Sequence, residues 1–257
     1  MKEKLFKWIL LTSLILSLTG CATNTGPVDP QDPYEHINRK IFDFNMALDK
    51  ALFRPVAKVY DVVLPWPVKR GVYNFFNNIG DVTSAANEIL QLDFPQAIAD
   101  LARVFINTIV GIGGLFDVAT SLGVERDASD FGLTLAHWGS RNTPYVVLPF
   151  FGPYTVRDAV SFPINYFLLS PWAYFKPPVF QWSLAGIYYT QRRSELLAGD
   201  DVVDQAFDPY VFVRDAYLQR RDFLINENDE HHVNKYTSED GVKHRRTQSL
   251  QQGHITN

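Results

Sequence analysis

The chain is predicted to be all-α, assembled from many short amphipathic helices, on three observations. Apolar residues recur at i, i+3 and i+4 through most of residues 32–226, the signature of helices with one apolar face. Proline and glycine cut that periodicity into short lengths, at Pro55, Pro65, Pro67, Pro171, Pro177, Pro178 and Gly199. The apolar faces are also unusually aromatic: the chain has 19 Phe, 12 Tyr and 5 Trp, 14% of its residues. So many broad apolar faces cannot all share one core of roughly 195 residues, and some are expected to meet lipid. A net charge of −4 leaves no basic footprint for nucleic acid, so a membrane or an apolar ligand is the better partner.

The ends carry targeting signals. Lys2, Lys4 and Lys7 precede an apolar run from Trp8 to Leu18, which makes residues 1–20 a secretory signal peptide. Leu18-Thr19-Gly20-Cys21 resembles the bacterial lipobox, in which the cysteine thiol receives a diacylglyceryl group and becomes the new N-terminus. Several acyl chains hold a protein on a membrane durably, at about 0.8 kcal/mol per buried methylene. Ala22 in the second mature position implies, by analogy, sorting to the outer membrane. Cys21 is the only cysteine, so no internal disulfide or thiolate metal site can form. Residues 21–31 are read as a lipidated tether and residues 227–257 as a disordered polar tail. The tail's His231, His232, His244 and His254 lack the spacing of a metal site.

Within the body, Asp32-Pro33 is expected to cap a first helix, with Glu35 completing a capping box. Ile37, Ile41, Phe44, Leu48 and Leu52 form its stripe, closed at Arg54-Pro55. A short helix from Pro55 to Val63 follows, then a turn at Pro65-Trp66-Pro67 and a stripe of Val68, Val72, Phe75, Phe76 and Ile79. Gly80-Asp81 is expected to separate that helix from the next, which runs to about Gln91. Asp93 caps a helix with Phe94, Ile98, Leu101, Phe105 and Ile109 on one side. Further helices are expected near 127–138, 155–169, 180–197 and 201–226, with an extended piece at Tyr145–Leu148.

The segment from Arg103 to Ala119 organises the rest. From Val104 onward only Asn107, Thr108 and Asp117 are polar, yet the run falls short of the ~18–20 apolar residues of a spanning helix. Its middle, Gly111-Ile112-Gly113-Gly114, costs about 1 kcal/mol per glycine relative to alanine in a helix. One reading is a buried helix ending at glycine caps. The other is a bend beside a lipid path, with Gly111, Gly113, Gly114, Asn107, Thr108 and Asp117 as a channel wall or gate. A dinucleotide loop is excluded, because Phe116 stands where the third glycine would be needed.

Enzyme signatures are weak. There is no Gly-x-Ser-x-Gly elbow, His-Glu-x-x-His or phosphate loop, and His36 and His137 have no evident serine partner. Arg157-Asp158 and Arg214-Asp215 are read as local ion pairs rather than as acid–base pairs. A phospholipase would need a nucleophile that the chain does not offer, and neither a cofactor nor a catalytic residue is assigned.

The order of residues resembles one family, the MlaA (VacJ) lipoproteins of the Gram-negative outer membrane. The resemblance is carried by Asp32-Pro33, Asn38-Arg39, Phe44-Asn45, Arg54-Pro55-Val56-Ala57, Asn74-Phe75-Phe76 and Asn87. It continues through Arg103, Phe105-Ile106-Asn107-Thr108, Gly111, Gly113-Gly114, Asp117-Val118-Ala119, Trp138-Gly139 and Arg157-Asp158 to Asp208-Pro209-Tyr210 and Arg214-Asp215-Ala216-Tyr217. It departs at Ser140-Arg141-Asn142-Thr143, where the family has a glycine-rich loop, and in the tail after Asn226. The resemblance implies a ring of helices lying in the inner leaflet of the outer membrane around a central amphipathic channel, beside a trimeric porin. Phospholipids misplaced in the outer leaflet would pass through it to a soluble periplasmic carrier (MlaC-like) for return to the inner membrane. A closed lipid-binding carrier and a porin-associated structural lipoprotein are the alternatives.

Overall fold

The computed structural model describes residues 29–229; Cys21, the signal peptide and the tail beyond residue 229 lie outside them. The helices are α1 (Glu35–Leu48), α2 (Arg54–Val63), α3 (Trp66–Leu90), α4 (Phe94–Ile109), α5 (Val118–Ser121), α6 (Phe131–His137), α7 (Val156–Ile164), α8 (Pro178–Glu195), α9 (Asp200–Gln205) and α10 over residues 209–229. A two-stranded antiparallel hairpin, β1 (Tyr145–Leu148) and β2 (Gly152–Thr155), pairs Tyr145 with Thr155 and Leu148 with Gly152. Among the described residues the fold is therefore all-α apart from this hairpin, as predicted, and the extended piece falls where the sequence placed it. Among the described residues no helix is long and apolar enough to cross a membrane.

Several boundaries differ from expectation, each for a local reason. Pro55 does not end the first helical run. Its ring has no N–H for the Ala51 carbonyl and would crowd it, and the chain widens into a π turn over Asp49–Phe53 before continuing as α2. Asp32 does not cap α1. It is buried, and its carboxylate takes the Asn38 amide at 2.8 Å and the Tyr210 hydroxyl, while Glu35 pairs with Arg39 at 2.7 Å. Gly80-Asp81 does not break α3, because Asp81 there turns inward to meet two arginines. The helix expected from about 127 begins at Phe131, capped by Asp130, which accepts the Leu133 amide at 2.9 Å. The expected last helix is split before Pro209. Asp93 caps α4 as predicted, accepting the Gln96 amide at 3.1 Å.

The apolar core is small. One cluster gathers Phe42, Tyr145, Val147 and Tyr210, and a second gathers Leu133, Ala136 and Ile225. Polar ties close the chain around them. Asn38 donates to the Tyr145 carbonyl at 3.2 Å and accepts from the Val147 amide at 2.9 Å, so α1 is stitched to β1. Arg214 on α10 reaches Asp29 and Asp32, each at 3.4 Å, and holds the first described residues against the last helix. Arg193 on α8 binds Asp49 at 2.6 and 2.8 Å and Asp200 at 2.8 and 3.0 Å, joining the π turn to the corner before α9.

Candidate functional site

The distribution of side chains is inverted relative to a water-soluble domain. Among the described residues, twenty-two polar or charged side chains are buried against thirteen apolar ones. Large apolar side chains stand outside instead, including Val62 at 84% exposure, Trp66 and Trp182. Both faces of the α3–α4 hairpin show how this arises. On α3 the inward stripe is Asn74, Asn78, Asp81, Ser84, Glu88 and then Gln91, spaced by three or four residues, and on α4 it is Ala97, Asp100, Arg103 and Asn107. The predicted stripe of Phe94, Ile98, Leu101, Phe105 and Ile109 exists but faces outward. The same helical spacing that defines the apolar face defines the polar one opposite it.

Arg103 and Gln91 tie the polar stripes to each other and to the segments after α4. Arg103, 1% exposed, donates from Nε to Asp81 at 3.1 Å, from Nη1 to Thr120 at 3.0 Å and to the Val124 carbonyl, and from Nη2 to Asp117 at 3.2 Å. Arg126 meets the other oxygen of Asp81 at 2.6 Å. Further along α3, Gln91 donates to Ser129 at 2.9 Å and to Thr134 at 3.1 Å, and the Thr134 hydroxyl donates to Asn87 at 3.0 Å. A planar guanidinium with five donors is suited to such a four-way contact.

All six residues singled out between α4 and α5 meet in one corner. The Gly113 amide donates to the Thr108 carbonyl at 2.8 Å, the Gly114 amide to the Asn107 carbonyl at 2.8 Å, and the Phe116 amide to the Gly111 carbonyl at 2.9 Å. The buried Asn107 side chain accepts both the Val118 and Ala119 amides at 2.9 Å and donates to Asp117 at 3.1 Å. Asp117 caps α5 through the Thr120 amide and hydroxyl. Burial pushes the Asp117 carboxyl up, but the Thr120 hydrogen bonds, Arg103 and Asn107 outweigh it, and the group lies below the usual carboxylate value. Thr108 accepts from Asn78 at 2.9 Å, which ties the corner to α3.

The glycines meet different needs. A Cβ on Gly111 would lie 2.1 Å from the Phe116 carbonyl oxygen, and one on Gly114 would lie 2.8 Å from the Asn78 amide nitrogen. Gly113 has φ of +68° and open space where a Cβ would be. Ile109, Val110 and Ile112 are exposed, so the apolar side of the bend faces outward rather than into a core. The loop at Ser140-Arg141-Asn142-Thr143 is pinned, since Arg157 Nη1 donates to the carbonyls of Ser140 and Arg141 and Arg141 pairs with Asp229. Arg157 and Asp158 pair locally, as do Arg214 and Asp215, which leaves neither aspartate placed as a free base. Among the described residues no group of three or more acidic, histidine or cysteine side chains is arranged for a metal ion.

A short-helix all-α fold with its polar side chains inside and aromatic faces outside defines a membrane-associated helical protein, one adapted to hydrocarbon at its surface. The family model for the MlaA lipoprotein matches residues 30–224, and the chain belongs to that family. It is 37% identical over 232 residues to the intermembrane phospholipid transport system lipoprotein MlaA of Escherichia coli K12, covering 88% of this chain and 90% of that one. The Haemophilus influenzae protein of the same name is 29% identical, over 85% and 90% of the two chains. A solved chain from work on the structural basis for maintenance of bacterial outer membrane lipid asymmetry superposes with a TM-score of 0.65. It is 34% identical and covers 76% of this chain and 98% of its own.

Proposed function

We propose that this chain is an outer-membrane lipoprotein, anchored at the periplasmic face through Cys21, that removes misplaced phospholipids from the outer leaflet and passes them to a soluble periplasmic carrier. The observation that carries this reading is the inverted surface, polar stripes within and apolar faces without. A phospholipid headgroup pays several kcal/mol to cross hydrocarbon unaided, so its passage needs a polar lane beside an apolar flank. The polar faces of α3 and α4 supply the first and the outward stripes the second. The names of the relatives support a phospholipid as cargo. In this reading the helices ring an amphipathic channel in the inner leaflet beside a trimeric porin, and no catalytic acid, base or nucleophile takes part.

Cells lacking the protein should accumulate phospholipid in the outer leaflet and become sensitive to detergent with chelator. The natural chain should restore both, while Cys21→Ser should not. Normal outer-leaflet composition in a deletion strain with no second copy would refute the reading. In liposomes, lipid that co-purifies without ever reaching an added carrier would favour a closed binding protein, and hydrolysed lipid would indicate an enzyme.

The glycine corner is proposed as the movable wall of the passage. Valine at Gly111 or Gly114 would collide with the Phe116 carbonyl or with Asn78 and test folding alone. Gly113→Asn is the cleaner variant, because asparagine tolerates positive φ and its Cβ meets nothing within 4 Å. Lipid flux should change by several-fold while abundance stays near normal. Flux that merely follows abundance sinks the gate.

A further inference from the structure

Asp100 sits one turn before Arg103 on the inward face of α4 and is 0% exposed. Its Oδ1 accepts from the Gln96 side-chain amide at 3.4 Å, and its Oδ2 accepts no hydrogen bond among the described residues. A carboxylate there would give up its water for a single weak neutral donor. The groups that face it add to the cost. Asp81 and Glu88 project from α3, and Asp127 from the segment before α6, all of like sign. The nearby cations are already committed, Arg126 to Asp81, and Arg103 to Asp81, Asp117, Thr120 and the Val124 carbonyl.

We propose that Asp100 holds a proton in the folded protein at neutral pH, and that its ionisation draws Arg103 from Asp117 and loosens the glycine corner. The physical basis is competition for Arg103. With Asp100 neutral, Arg103 is held by Asp81 and Asp117 while Arg126 takes the other oxygen of Asp81, and the corner is braced by these contacts. Ionised Asp100 adds an anion three residues before Arg103 on the same buried face of α4, a spacing at which the two side chains can pair. Burial first, then Asp81, Glu88 and Asp127, push the Asp100 carboxyl up to about 8, well above its ordinary 3.8. Between those two values the folded protein binds one proton more than the unfolded chain. Stability therefore falls as pH rises through that window and levels off above the upper value. The charged folded form, and with it the loosened corner, becomes dominant above about pH 8.

Asp100→Asn preserves the shape of the protonated acid and cannot ionise. The full lipidated protein in detergent micelles should lose melting temperature from about pH 5 to about pH 8, and Asp100→Asn should flatten that slope by about one proton. The infrared carbonyl band of a protonated carboxyl should be present at pH 7 in the natural chain and absent from the variant. A nitroxide on Val110→Cys in a Cys21→Ser background, where it is the one thiol, should gain mobility above about pH 8 only when Asp100 is present. Equal melting slopes in the two chains, a band unchanged by the substitution, or a nitroxide spectrum indifferent to pH would each overturn the proposal. If Asp100→Asn fails to fold, Asp127→Asn serves in its place, since removing one facing anion should move the nitroxide transition to lower pH. No readout involves lipid passage, so this inference and the proposed function can fail separately.

Discussion

At the scale of single residues, Arg103 decides more than any other side chain. It joins α3, α4, α5 and the segment after α5 through four acceptors, two of them carboxylates. Removing one partner of a buried ion pair typically costs about 3–5 kcal/mol, because the other charge is stranded. Arg103→Lys should therefore lose most of that stability despite keeping the charge, since an ammonium cannot reach four acceptors in a plane. Thermal melting in detergent checks this, and a lysine variant as stable as the natural chain would show that charge alone suffices. The sequence singled out Arg103 only as the start of a segment and as part of a family pattern. Its role was not legible because the partners are 14 to 22 residues away, Asp81 brought in by the α3–α4 hairpin and Asp117, Thr120 and Val124 by the glycine corner after α4.

At the scale of elements, local chemistry was legible where a signal acts on its own neighbours and misleading where two signals compete. The Asp93 cap and the strand at Tyr145–Leu148 fell where expected. Pro55 was expected to stop a helix, and the Asp49–Phe53 π turn carries the chain through instead. That turn is held from outside by Arg193, which grips Asp49 and Asp200 with its side chain largely covered. Charge-assisted hydrogen bonds contribute about 1.5–3 kcal/mol each, so Arg193→Met should lower stability by a few kcal/mol. Hydrogen exchange should rise first at the π turn and in residues 196–208. Exchange that rises evenly over the molecule would mean that Arg193 is not a local fastening. Which face of α4 turns inward was not legible: its apolar stripe lies outside, whereas Phe76 and Ile79 of the α3 stripe are buried. Periodicity reports that a helix has two faces, and only the surroundings say which of them is buried.

At the scale of the whole molecule, the apolar exterior makes a direct prediction about solvent. Trp66 and Trp182 are each 70% exposed, whereas Trp172 stacks on Phe76 and is half-buried. In liposomes, brominated acyl chains should quench Trp66 and Trp182 strongly, and aqueous iodide should quench them weakly. Replacing both with phenylalanine should remove their share of the bromine effect and leave that of Trp138, itself 56% exposed, and efficient iodide quenching would place these faces in water. The hold of Arg214 on Asp29 adds a limit on posture. Eight peptide steps separate Asp29 from Cys21, and a fully extended chain covers about 3.3–3.6 Å per step. If Cys21 carries the acyl group, its leash is at most about 29 Å, no longer than the hydrocarbon core of one bilayer is thick. On so short a leash an acylated protein would have little room to roll under its membrane, and its aromatic faces would stay within reach of the leaflet that held the acyl chains.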